Sequence, residues 1–250
     1  SPLVLLHGTS ASLHTWEGWT QSLKGQKRVI RFDMPGFGLT GPSSDGDYSI
    51  ESYVAFVTAV LDQLNVQNCV LAGNSLGGYV AWATALAHSE RVQRLILVDS
   101  SGYAYQALSV PLAFRIARTP VLGSMLGPVL PRAIVEKSVA NVYGDSTKVT
   151  PELVDRYFDL TTRAGNRQAL VQRFKQTQPG ALAARVVELK LPTLIIWGGK
   201  DHLIPSELGT RFSKEITDSQ LIVFPELGHV PQEEAPLQTV AAVQTFLAIP

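Results

Sequence analysis

The stretch "LAGNSLGGYV", Leu71 to Val80, places one serine, Ser75, between closely spaced glycines. An apolar run precedes Ser75 and a helix-like pattern follows it, which predicts a tight turn from a strand into a helix. Backbones come close together in such a turn, and Gly73 and Gly77 remove side chains that would collide there. The turn would expose the Ser75 hydroxyl and aim the amide of Leu76 at the same space. A nucleophile whose attack generates an oxyanion requires this arrangement.

The strand before Ser75 is one of six short apolar runs in the chain. They lie at residues 2–6, 28–32, 68–72, 94–98, 193–197 and 220–224. Several are almost continuously apolar, which is typical of strands buried on both faces. Helical periodicities separate them, including one that begins after Ser49, a suitable N-cap. Alternating strands and helices predict an α/β fold, with a mostly parallel sheet and helices on both faces.

A long segment between the runs at 94–98 and 193–197 interrupts this alternation. A crossover between parallel strands needs only about a dozen residues. The segment is far longer and its pattern is helical in pieces. We therefore predict a core of residues 1–102 and 188–250, with an inserted helical cap, or lid, of residues 103–187. A separate helical domain with its own role is the alternative interpretation.

The composition excludes several classes of protein. The 250 residues include 21 basic and 21 acidic side chains without a basic run, so we expect no nucleic-acid partner. No uncharged apolar stretch reaches the roughly 18 residues of a membrane span, and we expect a cytoplasmic protein. The single cysteine, Cys69, excludes an internal disulfide, and no cluster has zinc-ligand spacing. We expect neither a metal nor an organic cofactor.

A serine hydroxyl is a weak nucleophile that needs a base, which an acid in turn orients. For a nucleophile in a strand–turn–helix context, the expected chain order is Ser, acid, His. Asp201 in "LIIWGGKDHLIP" and His229 in "LIVFPELGHVPQ" follow the last two predicted strands in this order. Both would emerge at the carboxyl edge of the sheet, where open α/β sheets place their sites. We predict Ser75, Asp201 and His229 as catalytic residues, with Asp99 after strand 94–98 as the alternative acid.

The loop after the first strand, "LLHGTSASLHTW", should provide the second oxyanion donor. We predict the amide of Thr9 in this role, beside that of Leu76. His7 lies at the strand end, and we assign it to hydrogen bonding within the loop. The stretch "GFGLTG", residues 36–41, fits a dinucleotide fingerprint, but loop-type residues follow it instead of a helix. We interpret it as a structural turn that Asp33 holds by hydrogen bonds.

The apolar cap predicts a pocket for an acyl or alkyl group of modest size. The candidate lining residues of this pocket are Ser10, Leu112, Met125, Leu126, His202 and Val230. Arg163, Arg167 and Arg173 could meet a substrate carboxylate. We interpret these three arginines as solvent-facing helix charges, because arginine is mostly exposed.

Six stretches together resemble the α/β-hydrolase superfamily, in particular its esterase- and lipase-like members with a serine triad and a helical cap. They are "LLHGTSASLHTW", "DMPGFGLTGPS", "AGNSLGGYVA", "LILVDSSG", "IIWGGKDHLIP" and "LGHVPQEEAP". The resemblance implies Ser75 as nucleophile, Asp201 as acid and His229 as base, with an oxyanion hole formed by the amides of Leu76 and Thr9. Members usually have two further strands before the first one here, so we expect an upstream segment.

We therefore expect a serine hydrolase of carboxylic esters, with a small-molecule ester of small to medium apolar groups as its substrate. Meta-cleavage-product hydrolases, which cut carbon–carbon bonds, share the "GNS-x-GG" elbow and are one alternative. They typically show an H-G-x-G-P-G loop and a tryptophan after the catalytic histidine, where this chain has His7-Gly8-Thr9-Ser10 and Val230. Cofactor-free haloperoxidase or perhydrolase chemistry and a slow-turnover ligand sensor are further alternatives.

Overall fold

A computed structural model of the chain describes residues 1–119 and 130–248. Its described part contains a six-stranded sheet in the order β2-β1-β3-β4-β5-β6, with every neighbouring pair parallel. The strands are β1 Leu3–Leu6, β2 Val29–Arg31, β3 Cys69–Asn74, β4 Val92–Val98, β5 Thr193–Gly198 and β6 Ser219–Phe224. The six predicted strands and the parallel sheet are confirmed.

The α-helices of the described residues alternate with these strands in the core and follow one another between β4 and β5. They are α1 Glu17–Leu23, α2 Ile50–Gln63, α3 Leu76–Ala87, α4 Leu112–Arg118, α5 Arg132–Val142, α6 Pro151–Thr162, α7 Asn166–Gln176, α8 Glu207–Glu215, α9 Pro231–Glu234 and α10 Pro236–Ala248. Ser49 caps α2 as predicted, because its hydroxyl accepts a hydrogen bond from the Ser52 N–H at 3.2 Å.

Helices cover both faces of the sheet, because side chains of each strand alternate between two apolar layers. In β1, Val4 and Leu6 pack in the layer that contains α2, α3 and α8. Leu3 and Leu5 point to the opposite layer, which contains α1 and α10. The strands are therefore buried on both sides, which explains their nearly continuous apolar sequences.

The strand order places a topological switch at the centre of the sheet. From β1 the chain moves outward to β2 and then crosses to β3 on the other side of β1. Loops that leave the carboxyl ends of β1 and β3 therefore diverge and leave a crevice between them, where α/β sheets bind ligands. Thr9 follows β1 and Ser75 follows β3, so both flank this crevice.

The segment between β4 and β5 contains α4 to α7 and a small apolar cluster of its own. This cluster contains Leu130, Val135, Val139 and Tyr143, together with Val230 from the core. The helical character of the segment is confirmed, whereas its role as a lid stays a prediction. Met125 and Leu126 lie outside the described residues. Within the described residues, no helix has the length and apolar character needed to cross a membrane.

Candidate active site

Ser75 occupies the turn between β3 and α3 in a backbone conformation that is rare for a residue with a side chain. Its φ is 55° and its ψ is −116°. Such a conformation costs on the order of 1–3 kcal/mol and persists where neighbouring contacts hold it. The Ser75 N–H donates to the Val98 carbonyl oxygen at 3.0 Å, and the Ser75 carbonyl accepts from the Ser101 N–H at 3.0 Å. These bonds fix the serine at the carboxyl end of the sheet.

The glycines beside Ser75 are required by close backbone approach. A Cβ on Gly73 would lie 2.1 Å from the Gly77 carbonyl oxygen, and a Cβ on Gly77 would lie 2.2 Å from the Leu6 carbonyl oxygen. Neither position can hold a larger residue without moving the strand or the helix. The physical reason given for these glycines from the sequence is thus confirmed.

His229 and Asp201 meet behind Ser75 although 28 positions separate them in the chain. The His229 Nδ1 lies 2.7 Å from Asp201 Oδ2, and both side chains are buried. The other oxygen, Asp201 Oδ1, accepts hydrogen bonds from the backbone N–H groups of Leu203 at 2.8 Å and Ile204 at 2.9 Å. The carboxylate is thereby oriented, and the proton of His229 is held on Nδ1. Nε2 is the ring nitrogen that this contact leaves free, and Ser75 lines the same cavity as His229.

Asp99, the alternative acid, lies close to this pair but does not take its place. Its Oδ1 accepts a hydrogen bond from the Gly198 N–H at 2.9 Å, and its buried Oδ2 has no hydrogen-bond partner among the described residues. Burial, followed by the charge of Asp201, raises the pKa of Asp99 well above its usual range. Burial and the neighbouring carboxylate thus both disfavour the charged form of Asp99, which lies beside the Asp201–His229 pair.

Asp99, Asp201 and His229 also form one group whose potential metal ligands lie within 4.8 Å of one another. The Nδ1 of His229 and both oxygens of Asp201 are already used in hydrogen bonds. The geometry thus favours a hydrogen-bonded acid–base pair, and the absence of a metal stays a prediction.

The backbone of His229 is held by two neighbours that the sequence did not reveal. The His229 N–H donates to the carbonyl oxygen of Val142 at 2.8 Å, at the end of α5. The His229 carbonyl accepts from Asn74 Nδ2 at 2.9 Å, and the same amide nitrogen donates to the Val98 carbonyl at 3.1 Å. Asn74 therefore joins the nucleophile turn to the histidine loop. Its position next to Ser75 was the signal available in the sequence.

Glu234 is a second positioning residue that sequence reasoning missed. Its buried carboxylate accepts a hydrogen bond from the Gly228 N–H at 2.8 Å, next to His229. It also accepts from two backbone N–H groups that follow α5, those of Gly144 at 2.9 Å and Asp145 at 3.0 Å. Glu234 thus ties the histidine loop to the segment between β4 and β5. A buried acid in "PQEEAP" is not distinguishable from a surface acid by sequence pattern alone.

The two structural assignments in the neighbouring loops are confirmed. His7 is buried, and its Nε2 accepts a hydrogen bond from the Met34 N–H at 2.9 Å. Burial lowers the pKa of His7, which suits a neutral ring that accepts at this nitrogen. Asp33 accepts from the backbone N–H groups of Leu13 at 2.7 Å and Leu39 at 2.8 Å, and so holds the "GFGLTG" turn.

Two cavities of different character meet at Ser75. The large cavity has a volume of about 760 Å³ and the small cavity one of about 80 Å³, and Thr9 and Ser75 line both. Ser10, His229 and Val230 line the small cavity, as do mostly apolar side chains of the segment between β4 and β5. Leu76 lines the large cavity. The first-turn N–H groups of a helix have no partner within it, so the Leu76 amide is suited to bind an oxyanion.

Two residues that were predicted to line the pocket do not line it, whereas a residue one or two positions further along the chain does. Leu112 lines neither cavity. The face of α4 toward the large cavity is formed by Phe114, Ala117 and Arg118, which share one side at helical spacing, and Ala113 and Phe114 line the small cavity. His202 is exposed and also lines neither cavity, whereas the next residue, Leu203, lines both.

Two of the three arginines interpreted as solvent-facing charges need correction. Arg163 is exposed as expected, and Arg167 is partly buried with its Nη1 donating to the Thr162 carbonyl at 3.1 Å. Arg173 is partly buried and lines the large cavity. The helix α7 turns this side chain toward the core domain, which a charge pattern alone does not indicate.

A parallel sheet with a strained serine after β3, and an Asp–His pair after β5 and β6, defines the serine-triad class of hydrolases. The chain belongs to the α/β hydrolase fold family, whose model matches residues 1–236. It is similar to the 2-hydroxy-6-oxo-2,4-heptadienoate hydrolase of Pseudomonas putida, with 31% identity over 99% of this chain and 89% of that protein.

Two solved structures show the same fold across nearly the whole chain. A meta-cleavage product hydrolase from Pseudomonas fluorescens, solved as a mutant complexed with acetates, matches with a TM-score of 0.85 at 26% identity, over 99% of this chain and 90% of that one. A thermophilic esterase from Thermogutta terrifontis with malate bound matches with a TM-score of 0.82 at 26% identity, over 98% and 89%. The family and the names of these relatives support hydrolase activity.

Proposed function

We propose that this protein hydrolyses carboxylic esters through an acyl-enzyme on Ser75. The observation that carries the proposal is the geometry at the topological switch, between the carboxyl ends of β1 and β3. A strained serine lies at the junction of two cavities, beside a histidine whose Nδ1 is 2.7 Å from a buried aspartate. The catalytic roles given below belong to this proposal.

In the first half of the reaction, His229 Nε2 takes the proton of the Ser75 hydroxyl as its oxygen attacks the ester carbonyl carbon. The amides of Leu76 and Thr9 bind the oxyanion, and each such donor is worth on the order of 3 kcal/mol in the transition state. His229 then gives its proton to the departing alcohol. Asp201 keeps the imidazole oriented and stabilises its charged form.

In the second half, water attacks the acyl carbon while His229 takes its proton. The acid is then released and the Ser75 hydroxyl is restored. Since His229 must reach the alcohol oxygen, the alcohol leaves on the side of His229, which is the side of the small cavity. The acyl group then lies in the large cavity, which Leu76 lines at the start of α3.

The small cavity suits a neutral leaving group better than a charged one. No Lys, Arg, Asp or Glu is among the described residues that line it. The Asn74 amide nitrogen already donates to two carbonyl groups, and the nearby Arg156 is paired with Glu233. A small apolar alcohol fits this cavity, whereas a carboxylate on the leaving group would meet no free cation among its described walls.

Carbon–carbon bond hydrolysis is the second candidate, and similarity to the dienoate hydrolase of Pseudomonas putida favours it. Such a reaction would release a charged dienol fragment. The same serine, histidine and aspartate would act in it, so the triad does not separate the two candidates. The described walls of the small cavity carry no Lys, Arg, Asp or Glu, and this supports the ester as the first candidate.

Hydrolysis of p-nitrophenyl esters from acetate to decanoate tests the proposal, with 2-hydroxy-6-oxohepta-2,4-dienoate assayed alongside. We expect turnover of the esters, and we expect Ser75→Ala to lower kcat by at least about 10³-fold while the protein still unfolds as the wild type does. Ser44→Ala, at an exposed loop serine, is the matched control and should keep the wild-type rate. Turnover of the dienoate without turnover of any ester would establish the second candidate instead.

A further inference from the structure

The large cavity joins the nucleophile to an unusual concentration of positive charge. Ser75 and Leu76 line one part of it, and Arg118 of α4 and Arg173 of α7 line another. Its remaining charged lining residues are the exposed Glu51 and Lys175. Three of the four charged side chains among its described walls are therefore basic.

Arg173 has no carboxylate partner among the described residues. Its Nε is buried without a hydrogen-bond partner there, and its guanidinium lies 5.5 Å from the centroid of the Phe174 ring. The guanidinium of Arg118 lies 4.7 Å from the same centroid, and it forms no ion pair with a described residue either. Two cations thus share one aromatic ring. Arg118 is exposed, whereas Arg173 is partly buried and its Nε is shielded from solvent. A charge held in such a place is normally paired, so Arg173 lacks an anion.

On balance, the surroundings of Arg173 disfavour its charged form. Burial is the largest cause and lowers the pKa of Arg173, Tyr53 raises it, and the charge of Arg118 lowers it again. An anion between the two guanidinium groups would relieve this repulsion. A planar carboxylate matches the fork of donors that an arginine presents, and such charge-assisted bonds are among the strongest in proteins.

Part of the wall of the large cavity is apolar, although polar residues such as Ser101, Tyr105 and Gln106 line it as well. Val110, Phe114 and Ala117 line it from the segment around α4, and Val171 and Phe174 line it from α7. A hydrocarbon chain would be stabilised along this wall, with its reacting carbonyl at Ser75 and a polar end at the arginines. By the route of the departing alcohol argued above, this chain is the acyl part of the substrate.

We propose that the large cavity binds an acyl chain that ends in a carboxylate, held by Arg173 and Arg118. The preferred substrates would then be monoesters of dicarboxylic acids with short alcohols. This inference rests on the proposed ester hydrolysis for its chemistry, but the carboxylate site can be tested without turnover.

The kinetic test compares matched methyl esters, followed by acid release with a pH indicator. Monomethyl esters of the dicarboxylic acids from glutarate to sebacate are paired with methyl esters of monocarboxylic acids of equal chain length. We expect at least about tenfold higher kcat/KM for the best monoester than for its neutral match. Arg173→Gln should lower kcat/KM for the monoester about 10- to 100-fold, mainly through KM, and leave the neutral ester within about twofold.

Arg115→Gln is the matched control, because Arg115 is an exposed arginine of α4 that does not line the cavity. It should leave both substrates unchanged. Arg173→Lys keeps a positive charge without the planar fork and should recover part of the monoester preference. Urea unfolding of Arg173→Gln beside the wild type checks that this variant is folded.

Calorimetric titration with the free dicarboxylates, adipate and suberate, tests the carboxylate site independently of catalysis. We expect binding to the wild-type protein that weakens with salt and is reduced at least about tenfold in Arg173→Gln. If this binding occurs while no ester is cleaved, the ester proposal alone fails and the carboxylate site stands. If the wild-type protein binds neither diacid, or prefers the neutral esters, the carboxylate site is refuted.

Discussion

Replacing Asp99 by asparagine separates the roles of the two buried carboxyl groups beside His229. Asp99 is fully buried, and its Oδ1 accepts from the Gly198 N–H at 2.9 Å. Asparagine has the same shape as a protonated aspartate, keeps this acceptor oxygen and carries hydrogen where the neutral carboxyl does. We expect kcat of Asp99→Asn to stay within about threefold of the wild type. Asp201→Asn should lower kcat by about 10³- to 10⁴-fold, because an amide holds the wrong tautomer of His229.

Asp99→Asn should also change how the free energy of unfolding depends on pH. The pKa of Asp99 is raised in the folded state above its unfolded value of about 3.9, so the folded state keeps a proton that the unfolded chain loses. The stability that Asp99 contributes is complete below about pH 4 and is lost as pH rises toward the folded-state pKa. One proton corresponds to about 1.4 kcal/mol per pH unit. Relative to Asp99→Asn, the wild type should therefore lose unfolding free energy as pH rises from about 4 toward the folded-state pKa of Asp99, by at most about 1.4 kcal/mol per pH unit.

Urea unfolding of both proteins at pH 5, 6 and 7 measures this difference, and kcat at pH 7 completes the comparison. Asp218→Asn, at an exposed aspartate, is the control and should follow the wild type at every pH. A stability difference between the wild type and Asp99→Asn that does not change with pH would show that Asp99 is ionised in the folded protein. Loss of activity in Asp99→Asn, with activity kept in Asp201→Asn, would make Asp99 the catalytic acid.

Two further substitutions test the contacts that support the site and the core. Glu234→Gln places an NH₂ group against backbone donors that include the Gly228 N–H. We expect the free energy of unfolding to fall by about 1–3 kcal/mol. We also expect kcat to fall, because the His229 loop would shift. Unchanged kcat, measured together with urea unfolding, would contradict this positioning role. Thr239→Val leaves the buried Trp19 Nε1, now 2.9 Å from the Thr239 hydroxyl, without its partner. Thr239→Val should lower the free energy of unfolding in urea by about 1–3 kcal/mol and leave kcat unchanged. A fall in kcat would contradict a role of this contact in stability alone.

The sheet and the triad were predictable because few physical rules determine them. Apolar runs that are buried on both faces identify the strands, and parallel strands bring all their carboxyl ends to one edge. Ser75, Asp201 and His229 each follow such a strand, so their proximity follows from topology without knowledge of any side-chain contact. The glycines around Ser75 add the geometry of the turn, which backbone sterics require.

The cavity walls were not predictable in the same way, because they depend on side-chain direction at single positions. Leu112 and Phe114 are two residues apart on α4, and only tertiary packing decides that Phe114 and not Leu112 faces the cavity. His202 and Leu203 present the same problem in the loop after β5. For Arg173, the average exposure of arginine favoured solvent, and its position in the large cavity depends on how α7 packs.

The hydrogen bonds around His229 limit which parts of the chain can change without moving this residue. Its N–H donates to the Val142 carbonyl, and Glu234 accepts from the backbone that follows, so residues 142–145 help to hold His229 in place. Moving this stretch outward would break at least three hydrogen bonds of buried groups, at about 1 kcal/mol each and more if they stay unpaired. Helices α4 and α7 instead contribute cavity walls through Phe114 and Arg173, outside this contact. Changes in those two helices can therefore alter the walls of the large cavity while Ser75, Asp201 and His229 keep their geometry.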